Sequence, residues 1–191
     1  MYKYVCDKNL RKYLSNFIKQ HESCEVAETK HSWKKLSLSE INPFKNCIPL
    51  FNLYASAWEF STTQNIEDCQ WITIPDDIKP SEDLFACKVV WESMNKIIPN
   101  DSVCLFRKDR GGSRNGKIVL AEVSNLQDAD SGSGYTVKQY ESKKIYSDDS
   151  WSHSSISLKP QSDDSRYETL VLEDYDSISS FKIVGIFERV L

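Results

Sequence analysis

The sequence predicts a mainly β domain preceded by a short helical arm. Three observations carry this. From about residue 48 onward, short runs of Val, Ile, Leu, Phe and Tyr are separated by turn residues, the pattern of strands. The intervals between those runs are too short for repeated crossover helices, which argues against a doubly wound α/β architecture. The preceding residues, 1–47, have a different composition and one stretch of helical periodicity. At 191 residues and 40% hydrophobic content, the chain holds one domain of ordinary size with a real core, plus an appendage.

The arm comes first. In "NLRKYLSNFIKQH" the residues Leu10, Tyr13, Leu14, Phe17 and Ile18 recur at helical spacing with Lys and Arg between them, predicting one amphipathic helix. "ESCEVAETKHSWKKLSLSEINPFKN" is polar and weakly patterned, a linker or an arm lying on the main domain. Strands are then expected at "PLFNLY", "WITI", "ACKVV", "SVCLF", "KIVLAEV", "YTVKQY", "SISL", "ETLVL" and "FKIVGIFERVL". The expected division is therefore an arm over 1–47 and a β domain over 48–191. Two long polar loops interrupt it. "RKDRGGSRNGK" gathers Arg107, Lys108, Arg110, Arg114 and Lys117 around two glycines, and reads as a solvated hairpin connection rather than a phosphate site. "SNLQDADSGSG" precedes "YTVKQY". The acidic run "EDYD" at 173–176 reads as a solvated turn.

Composition removes several function classes. A net charge of −4 and a pI near 5.5 give no global reason to bind nucleic acid. One expected helix is too few for a helix-turn-helix reader, so direct nucleic-acid binding is disfavoured. The six cysteines, at 6, 24, 47, 69, 87 and 104, form no C-x-x-C pair, so no metal site, redox pair or cofactor is expected. Cys87 and Cys104 fall in apolar runs and read as small core hydrophobes. The five tryptophans, at 33, 58, 71, 91 and 151, read as core or interface anchors. No stretch approaches the roughly 20 apolar residues of a membrane span. The N-terminus lacks the apolar centre of a signal peptide, so a cytoplasmic protein without membrane attachment is expected.

The candidate chemistry centres on Ser93, in "VVWESMNKIIPND". A serine hydroxyl is a weak nucleophile unless a base takes its proton. His21, His31 and His153 lie in polar segments with no apparent relation to it, which weakens a histidine triad. The other solution is a lysine held neutral by desolvation. "YTVKQY" supplies one: alternation puts Thr136, Lys138 and Tyr140 on one face, opposite Tyr135, Val137 and Gln139. Alternation alone favours Lys138 as the solvated residue of an edge strand; a covered face would make it a base.

The segment around Ser93 resembles the nucleophile region of the LexA-like serine peptidases, the family of the LexA and phage repressors and of UmuD. There a Ser-Met pair is followed by a Pro- or Ile-containing turn, a Gly-Asp and a strand. "RNGKIVLA" is similar to the family's next strand and "YTVKQY" to the strand bearing its general-base lysine, while "SISLKPQS" and "FKIVGIFERVL" are similar to its two closing segments. The order and approximate spacing agree over roughly residues 48–191.

The resemblance implies a LexA/signal-peptidase-like β fold. It implies Ser93 as nucleophile, Lys138 as general base and Met94 as packing. It also implies that the chain is its own peptide substrate, cleaving its N-terminal region as a stress or phage-defence switch. The run "CLFRKDRGGSRNGKIVLAE" is similar to a branch associated with helicase-type phage-defence proteins, which implies a helicase or nuclease partner. The matching cleavage stretch is "IPLFNLYASAWEFS", with the scissile bond at Ser56–Ala57 or Ala57–Trp58. Two departures stand out. Trp58 occupies a position at or beside the bond where relatives have glycine, and Trp91 replaces a glycine two positions before the nucleophile. An alternative expectation follows: an impaired site on the same fold, serving as a homodimerisation or partner-docking module through the apolar closing strand. A transcriptional repressor is the third, disfavoured by the short N-terminus and the acidic pI.

Overall fold

The computed structural model describes residues 33–52, 69–90, 92–123, 134–147 and 150–191, all within one unit that runs from Ser32 to Leu191. The helix expected over Leu10–Ile18 lies outside the described residues. The described part is mainly β, with almost no helix. Nine strands form a single mixed sheet: β1 (Ile48–Asn52), β2 (Gln70–Ile72), β3 (Leu84–Val89), β4 (Ser102–Lys108), β5 (Ile118–Val123), β6 (Tyr135–Ser147), β7 (Ser150–Lys159), β8 (Leu170–Leu172) and β9 (Phe181–Val190). Their order across the sheet is β2-β1-β3-β4-β9-β5-β6-β7-β8. Only β1 and β3 pair in parallel; the other seven pairings are antiparallel.

Each expected strand is present, because each was read from a run of side chains that the sheet buries. Alternation sends successive residues of a strand to opposite faces. Phe85, Cys87 and Val89 of β3, Cys104 and Phe106 of β4, Leu120 of β5, and Tyr135 and Val137 of β6 share one buried cluster. Their neighbours in sequence go to the opposite face. Leu84, Ala86, Val103 and Leu105 join Ile48 and Ile72 at one end. Val119, Ala121, Tyr140, Ile156 and Leu158 pack at the other. Register shifts at Leu105/Phe106, Leu120/Ala121 and Lys143/Lys144 bend the strands they interrupt.

Three features differ from expectation. β6 and β7 are longer than their apolar runs and continue as a two-stranded ribbon, where Lys143, Lys144 and Ile145 are exposed. A ribbon that buries no face carries no hydrophobic period, so its length could not be read. β9, expected as an association surface, is an interior strand: it pairs with β4 on one side and β5 on the other. The "EDYD" run is a helix start, with Asp174 capping the short helix Tyr175–Ser179 by accepting from the Ser177 N–H at 2.8 Å.

The segment before β1 is tied to the sheet. Leu36 N–H donates to the Trp71 carbonyl at 2.9 Å, and Thr73 N–H donates to that of Lys34 at 2.9 Å, alongside the edge strand β2. The "RKDRGGSRNGK" arginines have carboxylate partners: Arg107 on Glu188 (2.7 Å), Arg110 on Asp83, and Arg114 bidentate on Asp109. That accounts for the loop as a braced connection.

Gly185 on β9 is closely approached by its neighbours. A Cβ there would lie 2.6 Å from Phe85 Cζ and 3.1 Å from the Arg107 carbonyl oxygen. Phe85 is itself stacked on Phe106 at 5.7 Å, so it has little freedom to retreat. Gly185→Ala is expected to cost about 1–3 kcal/mol in equilibrium denaturation through overpacking. The Asp174 carboxyl is held below its ordinary range by the Ser177 hydroxyl and backbone N–H. A depressed carboxylate stabilises above its unfolded pKa and ceases to as pH falls through the folded value. Asp174→Ala should therefore lower Tm modestly at neutral pH, with the difference from wild type vanishing in acid.

Candidate active site

The link from β3 to β4 carries Ser93 in a 3-10 turn, Glu92–Met94. Local hydrogen bonds close it. Asn95 N–H donates to the Glu92 carbonyl (3.2 Å), and the Met94 carbonyl accepts from Ile97 N–H (2.9 Å) and Ile98 N–H (2.8 Å). Met94 and Ile98, four residues apart, are both fully buried in the core cluster shared by β3, β4, β5 and β6. They pin the turn between them. Met94 is thus packing. From outside the turn, Gln161 N–H donates to the Ser93 carbonyl at 2.9 Å and Lys96 N–H donates to that of Gln161 at 3.0 Å, so the segment after β7 pairs with it.

Lys138 is on β6, opposite Val119 of β5. The reading of it as a solvated edge residue does not hold, because β6 is an interior strand between β5 and β7 and the lysine is 8% exposed. Its Nζ donates to Ser93 Oγ at 2.8 Å and to Thr136 Oγ1 at 2.8 Å. Ser93 is completely buried and Thr136 is 1% exposed. Two residues 45 positions apart are thus in hydrogen-bond contact inside the protein. Thr136, which alternation places on the same face, gains a role only from this contact. Its signal was the i, i+2 relation to a strand lysine, which places both side chains side by side.

Chemically, this is a hydroxyl within proton-transfer reach of an amine, with a second hydroxyl fixing the amine's direction. With the amine neutral, it can keep its donation to Thr136 and turn its lone pair to the Ser93 hydroxyl. His153 belongs elsewhere: it pairs with Lys144 on the β6–β7 ribbon, and burial with the positive charges of Lys144 and Arg114 lowers its pKa. Ser56, Ala57 and Trp58, the expected cleavage residues, lie outside the described residues, as do Trp91, His21 and His31.

The buried thiols are not rivals for the chemistry. Cys87 and Cys104 face each other across β3 and β4, both unbonded and wholly covered. Burial pushes the Cys87 thiol well up, and the Cys104 thiol to about 12, so neither offers a thiolate near neutrality. Among the described residues, no group of three or more His, Cys, Asp or Glu is arranged to hold a metal ion, and no helix is long and apolar enough to cross a membrane.

No protein-family model matches the chain, and none of the curated proteins compared with it is detectably similar.

Replacing Thr136 separates its two attributes, shape and hydroxyl. Thr136→Val keeps the volume and removes the bond to the lysine, a buried hydrogen bond whose loss leaves a polar group unpaired at a cost of about 1–3 kcal/mol. Equilibrium denaturation should show a loss of that order for Val and a much smaller one for Thr136→Ser.

Proposed function

We propose that the chain is a LexA-like serine peptidase domain that cleaves its own N-terminal region, with Ser93 as nucleophile and Lys138 as general base. The observation that carries the reading is the 2.8 Å contact between Ser93 Oγ and Lys138 Nζ in the interior. A buried amine is favoured in its neutral form, the form a base requires. The order of strand segments resembling that family points the same way.

In the first step the neutral amine takes the hydroxyl proton as Oγ attacks a peptide carbonyl, with backbone N–H groups of the turn stabilising the oxyanion. Collapse expels the amine of the downstream segment, which receives the proton from the lysine. Water, deprotonated by the same amine, then releases the acyl group and restores the hydroxyl. Tethering favours a substrate segment of the same chain over a diffusing peptide, because it replaces a bimolecular encounter with an intramolecular one. The bond at Ser56–Ala57 or Ala57–Trp58 is the expected site, and the outcome is a switch for stress or phage infection.

One observation favours a second reading, an impaired site on a docking or dimerisation module. Tryptophan stands at both Trp58 and Trp91, where the family keeps glycine. That module would not expose β9 as an open edge, since β9 is paired on both sides.

The two readings part on one experiment. The purified full chain is incubated from neutral to alkaline pH and followed by mass spectrometry. Self-cleavage within Ser56–Trp58 should accelerate as pH rises, because the ammonium form cannot accept a proton. Ser93→Ala and Lys138→Ala should each slow it by on the order of 10³ or more. A serine-directed sulfonyl or phosphonate probe should label the wild type and not Lys138→Ala. A wild-type chain that stays intact at alkaline pH and unlabelled would sink the peptidase reading in favour of the docking module.

A further inference from the structure

The Ser93 turn and the Lys138 strand come from distant parts of the chain, yet one residue outside both is bonded to each. Gln161 follows β7. Its backbone N–H donates to the Ser93 carbonyl at 2.9 Å, and its carbonyl accepts from Lys96 N–H at 3.0 Å. Its side chain Nε2 donates to Gln139 Oε1 at 2.7 Å, and Gln139 is the immediate neighbour of Lys138 on β6. The direction of that amide pair is set by its surroundings. Gln139 Nε2 donates to the Gly116 carbonyl at 3.1 Å, which leaves Oε1 as the acceptor facing Gln161. The turn is braced again two residues on, where Asp163 N–H donates to Asn95 Oδ1 at 3.1 Å and Asp163 pairs with Lys96 at 3.4 Å.

We propose that Gln161 is a positioning residue for the Ser93–Lys138 pair: its backbone holds the Ser93 turn while its side chain locks that turn to the strand that carries the lysine. Gln161 touches neither reacting atom. It acts by fixing the spacing between two elements that share no strand pairing, where a displacement of about 1 Å is enough to cost roughly a hundredfold in rate. The inference rests on the peptidase reading for its rate consequence, but its geometric content does not.

The test uses the full chain as wild type, Gln161→Ala, Gln139→Ala and the double variant. Three quantities are followed: self-cleavage at alkaline pH, Tm, and the NMR titration of the Lys138 side chain in lysine-labelled protein, assigned by its loss in Lys138→Ala. Gln161→Ala should slow self-cleavage roughly tenfold and move the Lys138 titration midpoint. Gln139→Ala should do the same, and the double variant should be no worse than the stronger single, because all three remove one bond. Wild-type cleavage and an unmoved Lys138 titration in Gln161→Ala would overturn the proposal. So would a slower rate that tracks Tm with the titration unmoved, the mark of a merely structural residue. If the wild type itself never cleaves, the peptidase reading fails, and the Lys138 titration alone decides the positioning role. If Gln161→Ala does not fold, Gln139→Ala decides it by the same criteria, since it leaves the Gln161 backbone pairing intact.

Discussion

A lysine amine in the interior of a β domain is the constraint around which the site is organised. Moving an ammonium out of water costs several kcal/mol even after relaxation, so a sheet that buries one must either supply partners or hold the amine neutral. Here two partners of Lys138 are hydroxyls, those of Ser93 and Thr136. A hydroxyl is a versatile companion for such a group, because it can accept from an ammonium and donate to a free amine.

That arrangement depends on elements chosen for packing. Met94 and Ile98 fix the serine turn by filling the core, and the alternation of β6 sets Thr136 beside Lys138 while Tyr135 and Val137 serve the opposite face. The side chains around the candidate chemistry are therefore constrained by the hydrophobic interior, and the chemistry inherits its precision from it. Loosening the core near Ile98 would move Ser93 without touching it.

Much of this was legible in the sequence, and the illegible part has physical causes. All nine strands followed from apolar runs, because burial writes a period of two or a continuous run into the residues. Ser93 and Lys138 were singled out as a hydroxyl and a strand lysine, and paired through the resemblance of their segments to a known family. The burial of Lys138 was not deducible from alternation, which assigns a face but not what covers it; that depended on β6 being an interior strand. The ribbon extension of β6 and β7 and the helix at Tyr175 were missed for the converse reason, since exposed elements need only local hydrogen bonds and caps. Gln161 left no trace either, because its backbone bonds can be made by any residue except proline and its side-chain partner Gln139 lies on a separate element, β6.

β9 joins two halves of the sheet. On one side lie β2, β1, β3 and β4, and on the other β5, β6, β7 and β8; no strand of the first set pairs with a strand of the second except through β9. Ser93 belongs to the first half and Lys138 to the second. Since β9 follows every other strand in the chain, assembly is governed by contacts of long sequence separation, the slow kind. A nascent or clipped chain without β9 would lose all strand pairing between the halves, leaving core packing and the bonds around Gln161 as their contacts. The order of strands thus makes the last strand of the described domain the one that completes the ladder between the half that carries the hydroxyl and the half that carries the amine.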